Sequence, residues 1–582
     1  MSLPRTDKGE RKNPLFGQFA IANRYPAART SYCRMVVFHY TKQNFGTASN
    51  VRGTFPDSTV FKTKQFTIEE EIKSMRVSKS LDNPSATFSV SLFPTQNWKE
   101  TIAPGDWVGI YMFNRLETKR TTIADSKNLV MLGNVDRISR NLERDEDDKI
   151  TLKYDVSGRN FGKVFEDINI WFDPYINQDE SLDVALRTAG LEMTGNPTSQ
   201  VSELLKIFLG PGGKFKGRTL GKEVTGNLSS LNQFRVPEGV AAIFNKTPKS
   251  GVVDPDTQAN PRFYGILDQN IESGLPGYRD RNVISAEDQG NLWENLQRAS
   301  NDLVNELFLE EIRFKDGFAR PALILRPRPL NTPFFDSQFG KKELGLKSFL
   351  NGKYKTLQTL SDESFVEITQ GEITLENLGR DDHSRFNMFW LTSNRDMQWN
   401  QSSYSNVRSK GVIGNPFFTR ESVSRYGLKG MNRQFEFSQV SKKPTSSRGE
   451  ASSDTTLFKA LMVQAYDQNY ANHLYDSGTI ETNGVLEAEL GKVLVILPNS
   501  NSGQKKKIYY IQGYEHDWTF PNTWRTTFTV THGQYKTTDQ KIFIDIGKSE
   551  SGDFGSIDEA FDSVYIAKTQ SDNKDKKKIG GE

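Results

Sequence analysis

Near the C-terminus, Trp524, Thr526, Phe528 and Val530 alternate with Arg525, Thr527, Thr529 and Thr531. This is the period-2 pattern of a half-buried strand. Tyr509 to Trp518 precedes it, and Pro521-Asn522-Thr523 between them has turn chemistry. The stretch therefore predicts two long strands joined by a turn. The same design occurs upstream, where Leu132 to Ile138 leads through a charged tip, Glu143 to Asp148, into Ile150 to Arg159. Both hairpins open at a glycine within a strand and close at a glycine. Each follows a similar unit, Pro104-Gly105-Asp106-Trp107-Val108-Gly109-Ile110 in the first case and Leu490-Gly491-Lys492-Val493-Leu494-Val495-Ile496 in the second. The pattern predicts a divergent internal duplication of a β-domain.

Other segments fill in around these repeats. Phe88, Val90 and Leu92 share one strand face, and Pro94 ends that strand. Ser181 as N-cap, the stripe Leu182, Ala185, Leu186 and Ala189, and the stop at Gly190 predict a helix. Val201 to Leu209 predicts a second, short one. Asn291 to Leu307 carries Leu292, Leu296, Ala299, Leu303 and Leu307 at helical spacing. A hairpin follows, from Glu306 to Phe314, through Asp316-Gly317, to Pro321–Arg326. The second β-domain starts near Phe365, carries a helix from Thr455 to about Tyr475, resumes at Gly491 and closes at Gly533. The expected fold class is α+β, mainly β, with two similar β-barrel-like domains and helical and loop-rich insertions. The predicted divisions are an extended N-terminal arm (1–64), a first β-domain (65–160) and a helical, loop-rich insertion (161–290). A helix plus β-hairpin domain (291–364), a second β-domain with a helical insertion (365–538) and a C-terminal tail (539–582) follow. Residues 211–290, rich in Gly, Pro and Asn, are expected to hold little core.

Length and charge narrow the class. At 582 residues the chain exceeds one ordinary core. A net charge of +3 is far from that of a strongly basic nucleic-acid binder. The single cysteine, Cys33, excludes an intrachain disulfide and a thiolate zinc site. Met1 to Lys12 has no apolar core of a signal peptide, and no apolar run approaches the roughly 20 residues of a membrane helix. The expectation is a protein made in a cytoplasm that joins a soluble assembly.

Candidate chemistry is sparse. Gly210-Pro211-Gly212-Gly213-Lys214 fails as a phosphate loop because Phe215 stands where Ser or Thr is needed, and Gly221-Lys222-Glu223 fails the same way. His39, His383, His473, His516 and His532 form no metal-binding pair in sequence, and His516 beside Trp518 reads as a packed structural histidine. Glu143 to Asp148 lacks calcium-loop spacing, and Asp381-Asp382-His383 reads as a polar turn. Lys505-Lys506-Lys507 reads as a solvated edge. No catalytic, cofactor-binding or metal residue is assigned.

Three stretches carry a family resemblance. They are the hairpin from Gly133 ending in Val156-Ser157-Gly158-Arg159-Asn160-Phe161, and the run from Leu292-Trp293-Glu294 through Asn305-Glu306-Leu307-Phe308 to Leu323-Ile324-Leu325-Arg326-Pro327-Arg328-Pro329. The third runs from Tyr509-Tyr510-Ile511 through His516-Asp517-Trp518 to Thr527-Phe528-Thr529-Val530-Thr531-His532-Gly533. In this order they resemble baseplate hub proteins of contractile-tailed bacteriophages, the late control protein D group, over about residues 65–535, with a poor match at 211–285. That family usually has Arg where His532 stands. The resemblance implies a non-enzymatic homotrimer with two tube domains per subunit, matching a six-fold tail tube to a three-fold central spike. It implies partly open barrels whose edges pair between neighbours, and a channel that passes genomic DNA without specific binding. Implied partners are the tail tube or tube-initiator protein, the spike and baseplate wedge proteins, in the virion baseplate; no cofactor is implied. Two alternatives are a hub-associated cell-wall hydrolase, placed in 211–290 or 395–450, and a carbohydrate-binding tail protein.

Overall fold

The computed structural model describes residues 31–40, 63–114, 126–144, 150–170, 191–209, 217–219, 222–224, 236–244, 263–272, 280–284, 290–314, 318–330, 365–393, 417–418, 420–435, 464–498, 506–521 and 523–535. Most of this is antiparallel sheet with few helices, the mainly-β α+β class that the alternation predicts. Seven strands form the first barrel-like domain: β1 (Ser31–Tyr40), β2 (Thr63–Ile68), β3 (Ile72–Ser80), β4 (Asn83–Leu92), β5 (Trp107–Asn114), β6 (Leu129–Arg144) and β7 (Ile150–Asn160). Their order is β3-β4-β7-β6-β5-β1-β2, with every neighbouring pair antiparallel. Met35 and Val37 of β1, Met75 and Val77 of β3, and Val90 of β4 meet Ile110 of β5 and Val156 of β7 in one core. A sheet whose two ends feed one core must curl on itself.

Strand β1 corrects the predicted arm. Residues 31–40 are an inner strand with β5 on one side and β2 on the other. Cys33, Met35 and Val37 enter the barrel core, while Val36 and Phe38 face a second core outside it. A strand buried on both faces is a short continuous apolar run rather than an alternation. Averaging it with polar neighbours hides it. Residues 1–30 and 41–62 of the arm, and the whole 539–582 tail, lie outside the described residues.

That second core belongs to the middle of the chain. It unites helices α1 (Pro197–Phe208), α2 (Glu238–Phe244) and α3 (Leu292–Ser300) with a sheet of β8 (Asp268–Ile271), β9 (Asn305–Arg313) and β10 (Ala319–Pro327), in order β8-β10-β9. Helix α1 begins as its sequence dictates: the Asn196 side chain accepts from Ser199 N at 2.8 Å, and Pro197 follows at the first turn. Leu204, Val240, Ile243, Phe263, Leu296, Leu323 and Leu325 are buried together against Phe38 and Trp107 of the first barrel. The expectation of little core in 211–290 is therefore wrong at 238–244 and 263–266. These helices are apolar but only seven and four residues long, too short to show a helical period, and burial against the barrel wall holds them. One core also spans the predicted division at 290/291. The predicted Asn291–Leu307 helix stops early. Asn301 adopts φ 56, and Asn305 already begins β9. Asn tolerates this left-handed conformation, and the β9–β10 pairing claims Leu307. The predicted hairpin after it is present.

The second barrel-like domain has six strands: β11 (Phe365–Thr369), β12 (Ile373–Gly379), β13 (Asp476–Asn483), β14 (Val493–Leu497), β15 (Lys507–Thr519) and β16 (Thr523–Tyr535). Their order is β12-β13-β16-β15-β14-β11, and β11 runs parallel to β14. Along β16, Trp524, Thr526, Phe528 and Val530 are buried, as their alternation predicts. Val366, Ile480, Leu494, Ile511 and Phe528 form its core, joined by Phe308 and Ile324 of the β9–β10 hairpin. On β10, Leu323 and Leu325 face the first-barrel side while Ala322 and Ile324 face the second barrel. Within the insertion, residues 464–469 are helical and Asn472–Leu474 form one 3-10 turn; 455–463 lie outside the described residues.

The two barrels are built to one plan. The order β3-β4-β7-β6-β5 repeats as β12-β13-β16-β15-β14. Bulges recur at the same places: Ile72/Ser74 on β3 and Ile373/Leu375 on β12, Val135/Arg137 on β6 and Ile511/Gly513 on β15. Even the turn before the middle strand recurs. Gly105 N donates to Val135 O at 2.8 Å and Val135 N to Asp106 O at 2.9 Å. Gly491 N donates to Ile511 O at 3.0 Å and Ile511 N to Lys492 O at 3.0 Å. Both glycines have positive φ, +90 and +72. Val135 and Ile511 are thus equivalent positions. Among the described residues a topological difference is β1, which stands between β5 and β2, whereas β11 pairs directly with β14.

Candidate functional site: the joint between the two barrels

Strand β15 forks. Its first half, Lys507 to Tyr510, pairs with β14, and its second half, Gly513 to Thr519, pairs antiparallel with β3 from Ser80 back to Ser74. The fork falls at the bulge after Ile511, since an extra residue there redirects the strand. The result is one 13-stranded sheet through both domains. Trp518 and Trp524, carried by the second domain, are buried in the core of the first. Trp518 Nε1 donates to Ser31 O at 3.2 Å. On the exposed side Arg76 pairs with Glu515 at 2.8 Å.

Beneath the joint lies a buried polar cluster. Lys79 of β3 meets Glu310 of β9 at 2.5 Å, and also meets Glu311. Glu311 accepts from Leu132 N of the first barrel at 2.9 Å, and Glu310 accepts from Leu490 N of the second at 2.8 Å. Tyr514 OH donates to Glu310 at 3.3 Å. Two consecutive glutamates of the central hairpin thus tie both barrels to one lysine. Burial disfavours the Lys79 ammonium, but Glu310 and Glu311 outweigh it and hold its pKa well above the ordinary value. Burial pushes Glu311 up, and Glu310 adds to that while Lys79 opposes it. A second knot lies alongside. Arg326 donates to Glu306 at 2.5 Å and to Gly491 O at 2.5 Å, and Tyr510 OH donates to Glu306 at 2.5 Å. Buried networks of this kind are costly to break, because any removed member leaves a charge without its partner.

His516 is fully buried beside the joint. Burial, then the positive Lys79 and Arg313, lower its pKa to about 3, so it is neutral. Thr526 Oγ1 lies 2.9 Å from its Nδ1, and Val485 N donates to the same Thr526 oxygen at 2.9 Å. Trp524 Nε1 donates to Nδ1 at 3.4 Å. Nδ1 is therefore the acceptor, and the proton sits on Nε2. This is the packed structural histidine that the strand pattern predicts.

The other sequence candidates are scattered. In Asp381-Asp382-His383, Asp381 accepts from His383 N at 2.8 Å and Asp382 pairs with Arg385 and Lys429, which makes it a polar turn. Lys506 is exposed and Lys507 reaches Glu376 at 3.5 Å; Lys505 lies outside the described residues. Residues 145–149 of the charged tip, the Gly210–Lys214 stretch and the Ser181 helix also lie outside them. Among the described residues, no group of three or more His, Cys, Asp or Glu side chains is placed to hold a metal ion. Sequence reasoning missed Lys79, Glu310 and Glu311. A Glu-Glu pair inside an apolar strand was the available signal.

No protein-family model and no curated protein matches the chain. Solved structures do. The tail protein from Neisseria meningitidis MC58 is 10% identical, with 86% of this chain and 96% of that chain covered and a TM-score of 0.38. The 43 kDa tail protein of prophage MuSo2 from Shewanella oneidensis is 10% identical over 86% and 97% of the two chains, at 0.38. A chain of the Francisella PdpA-VgrG complex is 9% identical over 92% of this chain and 58% of that one, at 0.37.

Proposed function

We propose that this chain is a structural hub of a phage tail baseplate. It is a homotrimer that matches a six-fold tail tube to a three-fold central spike. One observation carries the reading: a single chain holds two wall units of one plan, already joined edge to edge in a continuous sheet. Three such chains supply six quasi-equivalent units under true three-fold symmetry, which is what a six-to-three adaptor needs. Its partners are the tail tube or tube-initiator protein, the spike and baseplate wedge proteins, and its place is the virion. The role is structural, not enzymatic. The central channel passes genomic DNA, so its wall carries no rows of Lys or Arg, which would bind phosphates and retard passage. The mass of the purified protein by light scattering, with class averages of the same sample, tests the reading. A trimeric ring with six similar lobes and a central hole is expected; a compact monomer overturns it.

A further inference from the structure

Among the described residues, each half of the joint inside the chain has an unfilled counterpart elsewhere in the sheet. The equivalence of Val135 with Ile511 makes Arg137–Glu143 of β6 the counterpart of Gly513–Thr519 of β15. β15 uses that stretch to pair with β3. On β6 the β5 pairing ends at Asn134, and no described strand pairs with that side of Arg137–Glu143. Likewise the shared bulge makes Leu375–Asp381, running along β12, the counterpart of Ser74–Ser80. β12 pairs only with β13 among the described residues. Among the described residues the two halves of one joint therefore stand open, one along the edge strand β12 and the other along the second half of β6.

We infer that β12 of one subunit pairs antiparallel with the second half of β6 in the next copy of this chain, repeating the β3–β15 joint between subunits. This rests on the proposed ring and names the contact that closes it. Carrying the internal register across places Arg137 opposite Asp381, Asn141 opposite Asn377, Leu142 opposite Glu376, and Glu143 opposite Leu375.

Three observations favour a second copy as the occupant. The first is continuity, because the same edge pair is already satisfied once within the chain. The second is exposed apolar surface. Leu142 is 62% exposed at the position where Trp518 is 3% exposed within the joint, and Leu375 on the other edge is 58% exposed. Of the five large hydrophobic side chains exposed among the described residues, these two lie on the two edges that would meet. The third is charge, since the register sets Arg137 against Asp381 and flanks Glu376 with Arg140. Opposite charges facing across strands favour the pair. Long open edges are a hazard in a free chain, and pairing with a defined partner removes it. The contact is head-to-tail, so repetition gives a ring when the rotation closes.

Paired cysteines test the register. Asn141→Cys with Asn377→Cys in one chain is the inter-subunit pair. Arg76→Cys with Asp517→Cys is its observed intrachain counterpart and reports whether this geometry accepts a disulfide. Under mild oxidation the intrachain pair is expected to lose both thiols while the chain stays a single covalent unit. The Asn141/Asn377 pair is expected to give covalent dimers and closed trimers, which neither single variant gives. A trimeric mass by light scattering, with the intrachain pair closed and the Asn141/Asn377 pair uncross-linked, overturns this joint but leaves the ring. Cross-linking of a shifted pair, Asn141→Cys with Leu375→Cys, in place of the predicted one overturns the register. A monomeric mass with no cross-link overturns both.

Discussion

The first and second barrels share a strand order, two bulges and a glycine turn, yet equivalent residues differ sharply in burial. Lys79 on β3 is buried against two glutamates, while its counterpart after β12, Arg380, is half-exposed and pairs with Asp476 at 2.8 Å. Trp518 on β15 is in a core; Leu142 on β6 is in solvent. Met75 is buried where Glu376 stands exposed. All three contrasts follow from one cause. The β3–β15 joint and the central hairpin cover one set of positions, and nothing among the described residues covers the other. The residues differ to match: large apolar or fully paired charged groups line the joint, and leucines or charged groups stand where no described strand covers them. If the open edge is the subunit contact proposed above, that compromise suits it, because a tryptophan at residue 142 would make the free edge sticky.

The largest effect should separate Lys79 from Arg380. Lys79→Met leaves Glu310 and Glu311 buried without their cation and should cost about 3–5 kcal/mol. Arg380→Met removes a surface pair and should cost about 0–1 kcal/mol. Chemical unfolding of the two variants measures both, and equal costs would break the claim that only the first position is sealed. Next comes the aromatic pair. Trp518→Ala should cost about 3–5 kcal/mol by emptying part of a core. Leu142→Ser should leave the unfolding midpoint of the free subunit within about 0.5 kcal/mol of the parent, while reducing the trimer fraction seen by light scattering.

Acid should weaken the second barrel through its histidines. His516 is lowered to about 3 and His532 to about 4, in each case chiefly by burial. A depressed folded pKa means the unfolded chain binds the proton first. Stability from these groups is therefore fully present above pH 6.5, their ordinary value, and is lost as pH falls toward 4 and then 3. Each histidine contributes a slope of about 1.4 kcal/mol per pH unit within its window. At the position equivalent to His516 the first barrel has Arg140. His516→Asn should reduce the slope between pH 6 and 4 by about 1.4 kcal/mol per unit. An unchanged slope would show that His516 is not held neutral.

The repeat was legible because strand pairing imposes a period of two, and both hairpins keep it. The alternation from Trp524 to Val530 and the apolar run of β14 survive in the burial pattern. The joint was not legible. Pairing of β3 with β15 links residues more than 400 positions apart, and nothing local in Met75-Arg76-Val77 marks which strand lies beside it. For the same reason the sequence pattern alone places β1 in the arm. Its apolar run is short, and its place between β5 and β2 is fixed by partners distant in the chain. The Lys79 cluster was hidden differently: three charged residues in strands read as solvent-facing until the fold brings them together.

A last prediction probes the repeat at its turn. Gly105 and Gly491 occupy equivalent positions with φ of +90 and +72, which disfavour any side chain. A Cβ at Gly105 would meet nothing within 4 Å, whereas one at Gly491 would lie 2.5 Å from Arg326 Nη2 and 3.0 Å from Phe308. Gly105→Ala should therefore cost only the backbone strain, about 1–2 kcal/mol. Gly491→Ala should cost that strain plus whatever is lost as Arg326 gives up its bonds to Gly491 O and Glu306. The difference between the two midpoints isolates the hairpin's grip on the second barrel, because the backbone term is common to both. Equal losses would mean that Arg326 swings away freely, and that Glu306, Tyr510 and Arg326 do not lock the central hairpin to β14.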